Sequence, residues 1–126
     1  MEKITKLLEN DRFAKFNGIK LIEIKSGYAV AQMEVTDNHL NGVNLVQGGA
    51  IFTLADFAFA AAANATGNIT LSLNASISFF KPPQGKIITA KATIISSSAK
   101  LCNYNVDVFD EENELIAKMI SNGFIK

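Results

Sequence analysis

The sequence has little of what metal and thiol chemistry need. Its 126 residues include one His, one Cys, no Trp and two Pro. A single Cys excludes an internal disulfide and fits a reducing compartment. One His plus one Cys cannot supply a zinc site of the usual His/Cys kind. Any Ser-His-Asp or Cys-His nucleophile would have to use His39, because there is no other imidazole. Neither sign of charge is in excess, with 12 Lys+Arg against 12 Asp+Glu. That balance argues against nucleic acid or an anionic membrane as partner. It also gives little protection against self-association. The most apolar stretch, Ala50–Ala65, is shorter than a membrane span and carries Asp56. Met1–Asn10 mixes charged with apolar residues and has no signal-like apolar core. These absences predict one globular cytoplasmic domain over residues 1–126, with no metal and no bound cofactor.

The residues that are present give a clear periodicity. Ile4, Leu7, Leu8, Phe13 and Phe16 recur at helical intervals, which predicts one short amphipathic helix ending near Gly18. Ile19–Lys25 and Tyr28–Val35 alternate around Ser26-Gly27 and predict a hairpin. Asp37–Gln47 is a polar loop. Gly48–Asn64 is rich in Ala, Phe, Leu and Ile, too long for a strand, and apolar on every face, so it predicts a helix buried on most sides. In Ile69–Phe80, Leu71, Leu73, Ala75, Ile77 and Phe79 fall on one face of a strand. Strands over Lys86–Ser97, Leu101–Phe109 and Leu115–Ile125 follow, with short turns that predict an antiparallel meander. The expected architecture is α+β: a short N-terminal helix and one long buried helix wrapped by a curved antiparallel sheet. Sheet edges and the remaining helix face then need cover, which a second copy would provide.

Asp56 is the residue that most invites a functional reading. It lies between Ala55 and Phe57 in an otherwise apolar helix, and a buried carboxylate is costly unless paired or used. The alternative is an acid on an exposed stripe or one that caps a nearby amide. Gly48-Gly49 at the helix start offers bare N–H groups to an oxyanion, or else is a tight loop-to-helix turn. Asp56 follows Gly48 by eight residues, about 12 Å along one helix. A general base must come within about 3 Å of its target, directly or through one water. One chain therefore cannot easily combine the two groups, whereas two antiparallel copies of the helix can. His39 reads as a loop hydrogen-bonder or a catalyst. Cys102 reads as a small buried hydrophobe, and Asp110–Glu114 as a solvated hairpin tip.

The stretch from Asn41 to Asp56 fits the pattern N-x6-G-G-x2-F-x-L-A-D. It resembles the signature of the hotdog-fold acyl-CoA thioesterases, in particular the PaaI-like (phenylacetic acid degradation) branch. Ser72–Phe80 followed by Lys81-Pro82 resembles the family's long strand with its aromatic-x-x-Pro ending. The likeness extends from about Gly18 to Phe124. It implies a hotdog fold with five to six strands and a dimer or dimer of dimers with sites between subunits. It also implies hydrolysis of acyl-CoA thioesters. By the same resemblance Asp56 is the general base or nucleophile and the Gly48 N–H polarises the thioester carbonyl. Asn41 and Ser72 orient water or substrate. Gly49, Phe57, Phe80 and Lys81 are the expected substrate contacts, with Lys86 and Lys100 as further candidates for the coenzyme A phosphates. One departure stands out: the family usually has His before the first glycine, and here it is Gln47. An amide can donate a hydrogen bond but cannot take up a proton. Gln47 is therefore the residue that favours an alternative, a hotdog protein that binds acyl-CoA without hydrolysing it. A hotdog hydratase, which would use an Asp/His pair, is a third reading.

Overall fold

The computed structural model describes residues 1–126. The chain opens with two helices, α1 (Glu2–Glu9) and α2 (Arg12–Phe16), where the periodicity predicts one. Asp11 makes the break. It is extended (φ −72°, ψ 98°), and its carboxylate accepts the Ala14 N–H at 3.0 Å, so it begins a new helix instead of continuing the old one. Strands β1 (Ile19–Lys25) and β2 (Tyr28–Glu34) form the expected hairpin, turned at Gly27 with φ +76°. A 3-10 turn (Asp37–His39) and a loop lead into α3 (Gly48–Asn64). Strands β3 (Thr70–Phe79), β4 (Ile87–Ser97), β5 (Leu101–Phe109) and β6 (Leu115–Ile125) complete the chain.

The six strands form one antiparallel sheet in the order β1-β2-β4-β5-β6-β3. The meander expected of all the later strands holds only for β4, β5 and β6. Strand β3 does not pair with β4. It pairs with β6 at the far edge, and residues 80–86 return across the β5–β6 turn. That turn holds the return in place. Asp110 accepts the Gln84 N–H at 2.9 Å, Gln84 O accepts the Glu111 N–H, and the Glu111 carboxylate takes the Lys86 and Ile87 N–H groups. Asp110 also accepts from Glu112 and Glu114 and is 5 % exposed. It is thus a buried structural acid, not part of a solvated tip. The Gln84 N–H, with those of Glu114 and Glu112, holds its carboxyl below the usual range.

Helix α3 lies against the concave side of the sheet. Ala29 and Ala31 of β2 stand opposite Ala92 and Ala90 of β4, all fully buried, which gives the helix a floor of small side chains. Phe59 of α3 meets Tyr104 of β5 edge-to-face with ring centroids 5.4 Å apart. Buried Asn64 ties the helix end to β3: its Oδ1 accepts the Thr70 N–H at 2.9 Å and its Nδ2 donates to Ala60 O. The wrapping is incomplete, however. Gly49, Phe52, Thr53, Asp56 and Ala60 form a stripe that stays partly open along α3.

Strand β3 also differs from simple alternation. A bulge between Ser72 and Asn74 inserts one extra residue, which reverses inside and outside. Ala75, Ile77 and Phe79 pair with buried Ser121, Met119 and Ala117 and face the helix. Before the bulge it is Thr70 and Ser72 that share that side, while Leu71 pairs with half-exposed Phe124 on the outside. The five residues Leu71, Leu73, Ala75, Ile77 and Phe79 therefore do not share one face.

Candidate active site

The loop before α3 is shaped by Asn41. Its Oδ1 accepts the N–H groups of Val43 and Leu45 at 2.9 and 3.1 Å, and its own N–H goes to Leu45 O. Asn44 takes the left-handed conformation (φ 61°) that closes this turn. With its oxygen committed twice, Asn41 has only its NH2 left to offer a ligand.

Gln47 is the N-cap of α3 and accepts the Gly49 N–H with its side-chain oxygen. Its main-chain carbonyl accepts from Ala50 and Ile51. The Gly48 N–H is left without an acceptor in the chain, as expected of a first helical residue with no side-chain cap aimed at it. A side chain at either glycine would crowd a neighbour that can give way. A Cβ on Gly48 would sit 3.1 Å from the Phe79 ring, and one on Gly49 would sit 2.7 Å from Gln47 Oε1. Phe79 is thus part of the site, although the alternation along β3 did not single it out from its neighbours.

A cleft of about 310 Å³ gathers Asn41, Gly48, Phe79, Phe80 and Lys81 around the helix start. Four predicted site residues therefore meet there. Phe80 is half-exposed at the rim, and Lys81 forms an exposed ion pair with Glu114 at 3.3 Å. Such a pair is weak and leaves the ammonium available to a phosphate. Lys86 lies on the other side of the same loop, beside Asn44 and Val46. Lys100 belongs to the β4–β5 turn at the opposite end, with its Nζ over the Phe124 ring.

Asp56, Phe57 and Ser72 are not in this cleft. Asp56 stands on the open stripe of α3, half-buried, with no hydrogen bond or ion pair inside the chain. The exposed-stripe alternative thus describes its position in one chain, but capping does not describe its role. Burial pushes its carboxyl above the ordinary value, and the nearby Asp11 carboxylate adds to that. Phe57 is buried beside a second cleft, which it lines together with Leu8, Asp11, Ala14, Ile19 and Leu21. Ser72 lies on the exposed edge strand near the other end of the helix. Cys102 is buried, and burial raises its thiol, so it is not a poised nucleophile. No three His, Cys, Asp or Glu side chains cluster as metal ligands would. No helix is long and apolar enough to cross a membrane.

Residues 43–117 match the model of the thioesterase superfamily, and the chain belongs to that family. Its fold is the hotdog fold. Within the family the chain is similar to the acyl-coenzyme A thioesterase PaaI of Escherichia coli K12. The two are 34 % identical over 112 residues, which is 88 % of this chain and 80 % of that protein. The solved structure of E. coli PaaI superposes with a TM-score of 0.93 at 30 % identity, covering 97 % of this chain and 89 % of the other. A protein of Archaeoglobus fulgidus is 36 % identical over 88 % of this chain and 73 % of its own length. The PaaI-like resemblance of the Asn41–Asp56 motif therefore holds.

Proposed function

We propose that this protein hydrolyses acyl-CoA thioesters at a site shared by two subunits. One observation carries the reading: α3 bears an open N–H at Gly48 and an unpaired carboxylate at Asp56, eight residues apart. That is about 12 Å along the axis, too far for one substrate carbonyl to use both. A second copy packed antiparallel on the open stripe would bring the partner's Asp56 towards Gly48. The ten-residue edge strand β3, with Leu71, Leu73 and Phe79 at least half-exposed, would be covered in the same step.

The thioester carbonyl oxygen would then rest on the Gly48 N–H, where negative charge grows in the tetrahedral state. Asp56 would take a proton from water as its oxygen attacks the carbonyl carbon, or would attack directly. On the first route collapse expels the coenzyme A thiolate, which takes the proton back from Asp56; on the second it leaves an acyl anhydride on Asp56, which water cleaves to the free acid and the carboxylate while the thiolate takes up the proton that water releases. Asn41 Nδ2 and Ser72 Oγ would orient substrate or water, and Phe57 and Phe80 would contact the acyl group. Lys81 and Lys86 would meet phosphates at the mouth. Binding without hydrolysis gains no support from Gln47, because its amide serves as the helix cap and leaves both reacting groups open.

The test is complementation between dead variants. Asp56→Asn and Gly48→Pro chains are each expected to be inactive. Refolded together one to one, about half the dimers are mixed, and each mixed dimer has one intact site out of two, so about a quarter of wild-type thiol release returns. No recovery in confirmed mixed dimers would refute the shared site. No thiol release by the wild type from any acyl-CoA would refute hydrolysis itself.

A further inference from the structure

The one imidazole of the chain has no part in the chemistry above, yet it is only 5 % exposed. His39 closes the 3-10 turn that precedes the Gly48 loop. Its Nδ1 accepts the Thr36 N–H at 3.0 Å, with Thr36 Oγ1 at 3.4 Å, in a reciprocal capping box. An Nδ1 that accepts places the ring hydrogen on Nε2, in the neutral form.

The same residue reaches the helix start through its main chain. His39 O accepts the Gln47 N–H at 2.8 Å, and Leu40 pairs with Val46 in an isolated antiparallel bridge. Gln47 O is held in turn by the Ala50 and Ile51 N–H groups. In a trans peptide the carbonyl and the following N–H point in opposite directions. A Gln47 carbonyl directed into α3 therefore turns the Gly48 N–H out of the helix end, towards the cleft. The aim of that N–H depends on where Gln47 is held, and the His39 carbonyl holds it.

We propose that His39 is a positioning residue that, as a neutral imidazole, fixes the turn anchoring Gln47 and so aims the Gly48 N–H. Its kinetic consequence rests on the hydrolysis reading above. Lys15 of α2, Lys20 of β1 and Glu34 of β2 line the cleft beside the ring, and Asp37 lies in its own turn. None of them hydrogen-bonds to it. A proton added at Nδ1 would make that nitrogen a donor facing another donor, and the Thr36 N–H would lose its acceptor. The turn is therefore built for the neutral ring.

Two variants and one spectrum test this. Gln at the third position of a capping box can supply the acceptor that Leu cannot. His39→Leu is expected to lower kcat for acyl-CoA hydrolysis by about tenfold or more, as misaimed groups do, with a smaller change in KM. It should also speed hydrogen exchange at the Gln47 amide. His39→Gln should restore both to within about threefold of wild type. The ring 15N spectrum, containing a single imidazole, should show the Nε2–H tautomer near neutral pH. The proposal is overturned if His39→Gln is no better than His39→Leu, if Gln47 exchange is unchanged in His39→Leu, or if Nδ1 carries the hydrogen. Should His39→Leu fail to fold, the wild-type tautomer and the Gln47 exchange rate of His39→Gln decide, which should match that of wild type and overturns the proposal if it is faster. Those two measurements need no activity, so they also separate this proposal from a failure of the hydrolysis reading.

Discussion

Replacing Gly48 by proline exchanges the open N–H for a ring carbon and leaves the helix start intact. Position 48 is the first residue of α3, where a missing N–H breaks no helical bond and proline is well tolerated. The residue before proline must be extended, and Gln47 already is, at φ −66° and ψ 136°. The new Cβ meets the Phe79 ring at 3.1 Å, so that ring must yield by a few tenths of an ångström. Phe79 is 51 % exposed on an edge strand, which puts the cost near the lower end of the roughly 1–3 kcal/mol usual for overpacking. The stiffer unfolded chain offsets about 0.4–1 kcal/mol of it. Gly48→Ala carries the same Cβ and keeps the N–H, so the pair isolates the exchange of that N–H for the proline Cδ, which removes the donor and fills its place. Loss of one oxyanion donor costs about 10²–10³ in kcat, close to 3–4 kcal/mol of transition-state stabilisation. The assay is thiol release from acyl-CoA under saturating substrate, with thermal melts of both variants as the folding control. Gly48→Pro should fall at least about a hundredfold below Gly48→Ala while melting within a few degrees of it. If the two variants keep kcat values within about tenfold of each other, the Gly48 N–H is not the oxyanion donor.

Asp56→Asn should lower kcat by about 10²–10⁴ and yet raise the melting temperature at neutral pH. The sign follows from the raised carboxyl: its contribution to stability is full below the ordinary value near 3.9 and is lost as pH rises through the folded value. The gap in melting temperature between variant and wild type should therefore open with rising pH, and a gap that closes instead would contradict the burial argument. Wild-type activity should climb over a pH range above that of an ordinary aspartate. Asp110→Asn should have the opposite thermal effect, because its carboxylate accepts three backbone N–H groups. It should cost about 1–3 kcal/mol at neutral pH and leave the chemistry intact. The deficit should shrink as pH falls from the ordinary carboxyl value through the lowered one, since the wild type then loses the same stabilisation. Equal melting temperatures at neutral pH would mean that the loop over residues 80–86 is held by other contacts.

Local chemistry made most of the elements legible. Strands β5 and β6 end where alternation ends, and α3 spans the Ala- and Phe-rich run from its paired glycines to Asn64. The break at Asp11 was also readable in principle, since Asp three residues before an alanine amide is an N-cap pattern. Pairing was harder. Whether β3 joins β4 or β6 depends on contacts between segments some forty residues apart, and the Asp110 carboxylate that secures the crossing resembles any other acid in a turn. The bulge beside Ser72 adds one residue without any glycine or proline in β3 to mark it, only Gly123 opposite on β6, yet it decides which side of the sheet Ser72 occupies.

The site divides in the same way. The motif from Asn41 to Asp56 was visible in the linear order of residues, because spacing along a helix is fixed by 1.5 Å per residue. The separation of Gly48 from Asp56 follows from that spacing, and the family from the motif's resemblance to the thioesterases. Only the folded chain decided which groups are free. It committed the Asn41 oxygen to its own loop and used Gln47 as a cap. It buried His39 as a brace, and left one amide and one carboxylate open. Hydrogen bonds within a fold are allotted among competing partners, and no residue type announces beforehand which of its atoms will remain unpaired.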